Sequence, residues 1–209
     1  QLFQQNAAAN TVDLEPVTVD SWEAGVRGTA GSRVVYQVSA YDMRIEDDIL
    51  TYRVSNAEQV ATNAGATRHR GVEASVGVAV TPELRLDAAF SVADHRYVEW
   101  APDAGTRFDG NRMEAAPREL GSVSATYTPA ALNGGRLLVE WNRTGRYAED
   151  PANTHFYGGY EVLNAQLNYV MPRAGVELFA RGVNLLDRAY AETVSWTQFQ
   201  GHQLTPGAP

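Results

Sequence analysis

The sequence contains no cysteine, no lysine and no long uninterrupted apolar run. The absence of cysteine excludes disulfide bonds, thiolate zinc sites and cysteine nucleophiles. Without about 18 consecutive apolar residues there is no candidate for a helical membrane span, although a span made of β-strands would leave no such run. All 17 basic residues are therefore arginine, and with 25 acidic residues the net charge is -8. That balance argues against nucleic acid as a partner, because phosphate binding needs a concentrated basic face.

The chain does have a repeated alternation of apolar and polar residues over short segments. In the segment 176–181, apolar residues occupy 176, 178 and 180, whereas Glu177 and Arg181 occupy the other side. This period of two is typical of a half-buried β-strand. Seven earlier segments repeat it, most clearly 72–80 and 84–92. We therefore predict eight strands within residues 21–187, preceded by a loop at 1–20 and followed by a loop at 188–209.

The connections between these segments alternate between short and long. Short turns are predicted at 31–33, 81–83, 129–135 and 172–175, and long loops at 54–70, 94–117, 145–160 and 188–209. This predicts an all-β fold, an antiparallel meander of about eight transmembrane strands with short periplasmic turns and long extracellular loops. A soluble sandwich or lipocalin-like barrel also alternates, but its water-facing side would be rich in lysine and glutamate.

The polar side of the predicted strands favours a water-filled lumen. It carries Ser, Thr, Asn, Gln and Gly with isolated charges, which suits a crowded wet interior. The charged positions predicted to line this lumen wall are Glu73, Arg85, Asp87, Glu140, Glu177 and Arg181. Trp22, Tyr127, Trp141 and Tyr169 lie near predicted strand ends, as the aromatic girdles of a membrane interface require.

Several short motifs share a resemblance to one family. The run Pro16–Arg27 is similar to a P-E-x-x-x-x-(Y/W)-E-x-G-x-(R/K) strand entry, with Val17 where Glu is commoner. Arg70-Gly71-Val72-Glu73 and Ala116-Pro117-Arg118 resemble later strand starts, with Glu119 replacing an aromatic or His. Asn184–Tyr190 resembles an N-L-(F/L)-D-(K/R)-x-Y element, and Pro206–Pro209 a lead-in to a final strand. In this order the motifs resemble the TonB-dependent receptors of Gram-negative bacteria.

The resemblance implies a location, an activity and partners. Complete members have a barrel of about 22 strands with a plug domain inside it. They lie in the outer membrane and import ferric siderophores, haem, cobalamin or glycans with energy relayed by TonB. The chain would be the C-terminal part of such a barrel, with a final strand beyond it, and no segment of it resembles the plug or the TonB box. Neither enzymatic activity, nor a cofactor, nor a resident metal is expected.

Aromatic and cationic residues in the predicted loops are the candidates for capturing an anionic, aromatic ferric siderophore. They are Arg68, His69, Arg70, Tyr97, Trp100, Arg107, His155 and Tyr157. The alternative is that these aromatics pack the loops onto the rim. All four histidines lie in or beside the long loops, and no two have the spacing of metal ligands.

Two readings from other classes stay open on sequence alone. The strand count also suits a complete small eight-stranded outer-membrane barrel with a structural or adhesion role. A hydrolase would need a catalytic set, for which Ser195 and His202 are the only tempting pair. No acid is obviously placed to orient the histidine, and no G-x-S-x-G elbow is present.

Overall fold

The computed structural model describes residues 14–53, 55, 59–63, 65–171 and 173–208. Within those ranges the strands are, in chain order, β1 Thr18–Ala30, β2 Val34–Glu46, β3 Ile49–Arg53, β4 Gln59–Asn63, β5 Ala66–Ala79, β6 Leu84–Glu99, β7 Glu119–Tyr127, β8 Gly135–Thr144, β9 Tyr147–Ala148, β10 Phe156–Tyr157, β11 Tyr160–Met171, β12 Val176–Gly182, β13 Ala191–Thr197 and β14 Gly201–Pro206. No helix in this part of the chain is long and apolar enough to cross a membrane.

Eight strands form one antiparallel sheet in the order β1-β2-β5-β6-β7-β8-β11-β12. Each pairs with the next sheet strand along the chain, so the sheet is a meander. The predicted all-β, antiparallel arrangement of eight strands is confirmed. In the described sheet β1 and β12 each have one neighbour, so the sheet is open and does not close on itself.

The sheet strands extend further toward the long connections than the sequence predicts. Residues 66–70 belong to β5 and residues 94–99 belong to β6, although both were predicted as loop. The antiparallel register continues through them, with Arg68 opposite Arg96 and His69 opposite His95. Polar side chains occupy both faces here, so the period-two alternation of apolar and polar residues is lost.

The long connections contain hairpins of their own. β3 pairs with β4, β9 pairs with β10, and β13 pairs with β14. Residues 191–206, predicted as loop, thus form two strands joined by a turn in which Gly201 has a positive φ of 68°. Of the loop predicted at 1–20, residues 1–13 lie outside the described residues, and Thr18 to Asp20 already belong to β1.

The register separates the sheet side chains into two faces, because directly opposite residues in antiparallel strands point to the same side. One cross-strand row is polar and small, and the adjacent row is apolar. The first runs Gln37, Ser75, Ala89, Ser122, Asn142, and the second runs Tyr36, Val76, Ala88, Val123, Trp141, Leu163. The apolar face is uncovered, with Leu86 40% exposed and Leu178 54% exposed.

The largest buried side chains lie in the long connections and in the adjoining ends of β5 and β6, not in the middle of the sheet. Trp100 packs against Tyr97 and Phe108, with ring centroids 4.5 and 5.0 Å away, and Tyr52 approaches it edge-on at 6.2 Å. Met113 and Leu50 complete this cluster. The connection between β6 and β7 is therefore packed onto the β3–β4 hairpin, and the end of the sheet carrying the long connections is a structured cap.

Candidate functional site

The sheet register assigns all six residues of the predicted lumen wall to its polar face: Glu73, Arg85, Asp87, Glu140, Glu177 and Arg181. Arg85 Nε donates to Asp87 Oδ2 at 2.8 Å, and Glu177 Oε1 accepts from Asn168 Nδ2 at 2.8 Å. Gly77 leaves room for the Arg85 and Asp87 side chains, because a Cβ there would lie 2.3 Å from Arg85 Nη2. Charged groups on the polar face thus pair with neighbours on the same face, as Arg85 does with Asp87 and Glu177 with Asn168.

The three arginines predicted to attract an anionic substrate are each paired with a carboxylate. Arg68 Nε donates to Asp42 Oδ1 at 2.8 Å, and Arg70 Nη2 lies 3.3 Å from Asp94 Oδ2. Arg107 Nη2 donates to Asp109 Oδ2 at 2.6 Å. Asp42 and Asp109 offset the positive charges of Arg68 and Arg107, whereas Asp94 is shared by Arg70, Arg96 and Arg112. The first two pairs also lie on the apolar side of the sheet, because Arg68 and Arg70 are on the same face of β5 as Val72.

Tyr97 and Trp100, predicted to contact substrate, are both only 1% exposed. The Tyr97 hydroxyl donates to Glu114 Oε2, and burial together with that carboxylate raises the pKa of the phenol. Trp100 is held by its backbone N–H, which donates to Asp109 Oδ1 at 2.8 Å. Both rings support the loop from inside and expose almost no surface, and their contact with substrate stays a prediction. In the structure both rings pack the loop, as in the alternative interpretation of these aromatics.

His69 is paired with another histidine. Its Nδ1 lies 2.7 Å from Nδ1 of His95, and its Nε2 lies 3.3 Å from the Thr67 hydroxyl, which donates to Asp48 at 2.7 Å. An N···N hydrogen bond needs one nitrogen with a proton and one without, so the two rings cannot both carry a proton at Nδ1. Within the described residues no group of three or more His, Cys, Asp or Glu side chains is arranged to hold a metal ion.

His155 and Tyr157 belong to a second cluster, where the β13–β14 hairpin meets the connection between β8 and β11. The His155 ring stacks on Trp196 at 3.9 Å, and the Tyr157 hydroxyl accepts the Ala191 N–H at 3.0 Å. His202 Nδ1 lies 2.7 Å from Oε2 of the buried Glu149. Sequence reasoning missed Glu149 and Trp196, because the contacts that join them cross about fifty residues of chain.

Ser195 and His202, the pair considered for a hydrolase, are not brought together. Ser195 is opposite Gln203, whereas His202 is opposite Trp196, so the two side chains point to opposite faces of the hairpin. An acid does orient His202, but the serine does not share its face. The arrangement therefore lacks the contact between nucleophile and base that a hydrolase needs.

A cavity of about 400 Å³ lies among four of the long connections. Its walls carry four aromatic side chains, Tyr52, Phe108, Trp196 and Phe199, and three carboxylate side chains, Glu114, Glu149 and Asp150. None of the eight residues predicted to bind substrate lines it. A cavity that combines aromatic side chains with many polar groups, at the end of the sheet that carries the long connections, is a candidate site for a small molecule.

Asp109 fixes one wall of this region. Its carboxylate accepts the Trp100 backbone N–H at 2.8 Å and bonds from Arg107 at 2.6 and 2.9 Å. These bonds stabilise the ionised form, first through the Trp100 backbone and then through Arg107, and they hold the pKa of Asp109 below its usual value of 3.8. The loop that supplies Phe108 to the cavity is therefore tied to an ionised carboxylate.

The profile of the family described as TonB dependent receptor-like, beta-barrel, matches residues 1–185. The chain belongs to this family. The Ferrichrome outer membrane transporter/phage receptor of Escherichia coli K12 is 29% identical over 135 residues, which cover 62% of this chain and 17% of that protein. The Ferrioxamine B receptor of Salmonella typhimurium is 24% identical over 189 residues, 85% of this chain and 25% of that protein. The receptor chain thus spans a quarter or less of the curated relatives it matches.

Solved receptor structures have the same fold. The ferric yersiniabactin uptake receptor of Yersinia pestis superimposes with a TM-score of 0.74 at 19% identity, covering 91% of this chain and 28% of that one. The unliganded ferric citrate transporter gives 0.73 at 18% identity, covering 91% and 29%. The family resemblance in the sequence is confirmed. The chain is an outer-membrane protein of a receptor and transporter family, which is not an enzyme family.

In this TonB-dependent receptor the motif at 184–190 is a hydrogen-bonded corner. Asn184 is 4% exposed and has a positive φ of 51°, which Asn tolerates better than most residues. Its backbone N–H donates to Asn164 Oδ1 at 2.9 Å, and its side-chain nitrogen donates to the carbonyls of Arg188 and Ala208 at 2.9 and 3.2 Å. The corner therefore joins β11 to both ends of the β13–β14 hairpin, which supplies Trp196 to the cavity.

Proposed function

We propose that the chain is part of an outer-membrane receptor that takes up a ferric siderophore with energy relayed by TonB. The observation that carries the proposal is the two-sided sheet, polar on one face and uncovered and apolar on the other. An apolar face of this extent is unfavourable in water and suits lipid. The named functions of the relatives, receptors for ferrichrome and for ferrioxamine B, support a siderophore as the cargo.

In this proposal the two ends of the sheet have different tasks. The cavity lined by Trp196 and Phe199 receives the siderophore from outside the cell. The lumen wall, with Glu73, Arg85, Asp87, Glu140, Glu177 and Arg181, borders the path of the cargo after TonB acts on the plug. In this proposal TonB contacts the plug and does not contact these residues. His155 contributes by holding the Trp196 ring through its stacking contact.

The test is uptake of radioactive iron by the full-length receptor in a Gram-negative host that lacks its own siderophore receptors. Ferrichrome, ferrioxamine B and ferric citrate form the first panel. We expect uptake with at least one of them, and we expect it to stop when TonB is deleted or the proton gradient is collapsed. Passage that continues without TonB would mean a passive pore and would overturn the proposal. Uptake of none of a wider panel of ferric chelates would also overturn it.

A further inference from the structure

An arginine groove opens on the apolar side of the sheet, at the end that carries the long connections. Its lining includes five arginines and one carboxylate, namely Arg96, Arg112, Arg118, Arg143, Arg146 and Glu119. An adjoining groove shares Arg96, Arg112 and Arg118 and adds Arg70 together with the carboxylates of Asp42 and Asp94. In a chain with a net charge of -8, this local excess of positive charge needs an explanation.

The arginine groove lies directly beyond the apolar rows. Phe90 and Trp141 face each other with ring centroids 6.5 Å apart, and Gly121 between their strands leaves room for the Phe90 ring, which a Cβ would meet at 2.6 Å. Arg143 is opposite Gly121 and two residues beyond Trp141 on the same face. The order along this face is therefore apolar residues, an aromatic pair and then arginines.

The nearby carboxylates neutralise only part of the arginine groove. Arg143 is paired with Glu161 and, at 3.6 Å, with Glu119. Asp94 is shared by Arg70, Arg96 and Arg112, at 3.3, 2.7 and 4.0 Å. Arg118 and Arg146 have no carboxylate within ion-pair distance among the residues that the structure describes, and both are exposed. Arg146 lies 4.1 Å above the Phe156 ring, which holds it in place without cancelling its charge.

We propose that the arginine groove binds the phosphate groups of a phosphorylated glycolipid in the outer leaflet of the membrane. A guanidinium presents a planar fork of donors that matches phosphate oxygens, and several of them at one level suit a multiply charged headgroup. The apolar rows next to the groove would receive the acyl chains. A free phosphate ion would use the arginines but would gain nothing from the Phe90 and Trp141 rings.

This inference rests on the apolar face meeting lipid, which belongs to the proposed function. It adds a second ligand site that is separate from the cavity, and on the opposite side of the sheet from the lumen wall. A headgroup held there would contact the connections between β6 and β7 and between β8 and β11. Both connections also line the cavity.

The experiment measures lipid binding to the full-length receptor, purified in detergent and freed of lipid, by native mass spectrometry. The probes are diphosphorylated lipid A and the same lipid after removal of its phosphates. The test variant is R118Q with R146Q. The matched control is R136Q, because Arg136 is an exposed arginine on the polar face near the short turns. Heat-modifiable migration in gels shows that each variant is folded.

We expect the intact receptor to prefer the phosphorylated lipid, and the double variant to lose about tenfold or more of that affinity, as expected for two charged hydrogen-bond donors. R136Q should bind like the unchanged receptor. Equal binding of both lipids would overturn the inference, because it would mean apolar contact alone. Complete displacement of the lipid headgroup by millimolar inorganic phosphate would assign the groove to a free anion and would also overturn it. Iron uptake is measured on the same variants. Absence of uptake by the unchanged receptor would contradict the proposed function. The double variant should lose the preference for the phosphorylated lipid but keep iron uptake.

Discussion

Asn184 and Arg188 are joined by two hydrogen bonds through one side chain, whose amide nitrogen donates to the Arg188 carbonyl at 2.9 Å and whose oxygen accepts the Arg188 N–H at 3.0 Å. Replacement by Ala removes the partners of both Arg188 backbone groups in this partly buried corner. We expect local opening of residues 188–208 to become about 10- to 100-fold more frequent. Hydrogen exchange of the Arg188 amide in the full-length receptor measures it.

The matched control for that change is Asn184→Asp. Aspartate keeps the oxygen that accepts the Arg188 N–H but loses the two donations to the carbonyls of Arg188 and Ala208. Exchange at Arg188 should therefore lie between those of the unchanged protein and Asn184→Ala. If both variants exchange like the unchanged protein, the side chain does not hold the corner.

Asp109 makes the loop between β6 and β7 sensitive to acid. Because its pKa is lowered in the folded protein, its contribution to stability is fully present above the ordinary value of 3.8 and is lost as the pH falls through the lowered value. Cleavage within residues 100–118 by an acid-stable protease should accelerate in that window. In Asp109→Asn the cleavage should already be fast above pH 3.8 and should change little with pH. Equal pH profiles for the two proteins would remove Asp109 from this role.

The sheet could be predicted from the sequence where one face is apolar, as in 72–80 and 84–92. There, period-two alternation indicates that one face of the strand is buried against lipid. The sheet could not be predicted where both faces are polar, as at Arg68 and His69, so the sequence predicts loops at the strand extensions. The lumen-wall residues follow from the same alternation and share one face. The cavity does not follow from any local pattern. It depends on contacts such as the Trp196 N–H with the Glu149 carbonyl at 2.9 Å, which only the folded chain brings together.

Trp196 is the residue of the cavity whose loss should weaken capture of the siderophore most. An aromatic anchor in a small-molecule cavity contributes about 1–2 kcal/mol or more, so Trp196→Ala should raise the concentration for half-maximal binding about 5- to 30-fold. Phe156→Ala serves as the control, because Phe156 lies under Arg146 and outside the cavity. Titration of the full-length receptor with the ferric siderophore, followed by fluorescence quenching, measures both. A larger loss for the control would move the binding site away from the cavity.

Residues 1–209 expressed alone should aggregate. β1 and β12 are edges of the described sheet, and the unpaired backbone groups of each edge have no partner in lipid. The measurement is migration of the refolded chain in detergent, with and without heating, together with its resistance to protease. A heat-modifiable, protease-resistant monomer would contradict the expectation and would favour a small closed barrel. The full-length receptor, refolded in parallel, shows that the conditions support folding.

Arg85 and Leu86 are neighbours on β6 whose side chains must meet different surroundings if the polar face lines a lumen. The chain has no cysteine, so a single cysteine at either position carries a spin label without interference from this segment. The label at 86 should be relaxed mainly by oxygen, which concentrates in lipid, and the label at 85 mainly by a water-soluble nickel chelate. The Ser124 position, opposite Asp87 on the polar face, should behave like Arg85, and the Ala125 position, opposite Leu86, like Leu86. The reverse pattern at both pairs would mean that the apolar face lines the lumen and that the six charged residues face lipid. It would overturn the lumen wall and the arginine groove together, whereas the fold itself would remain.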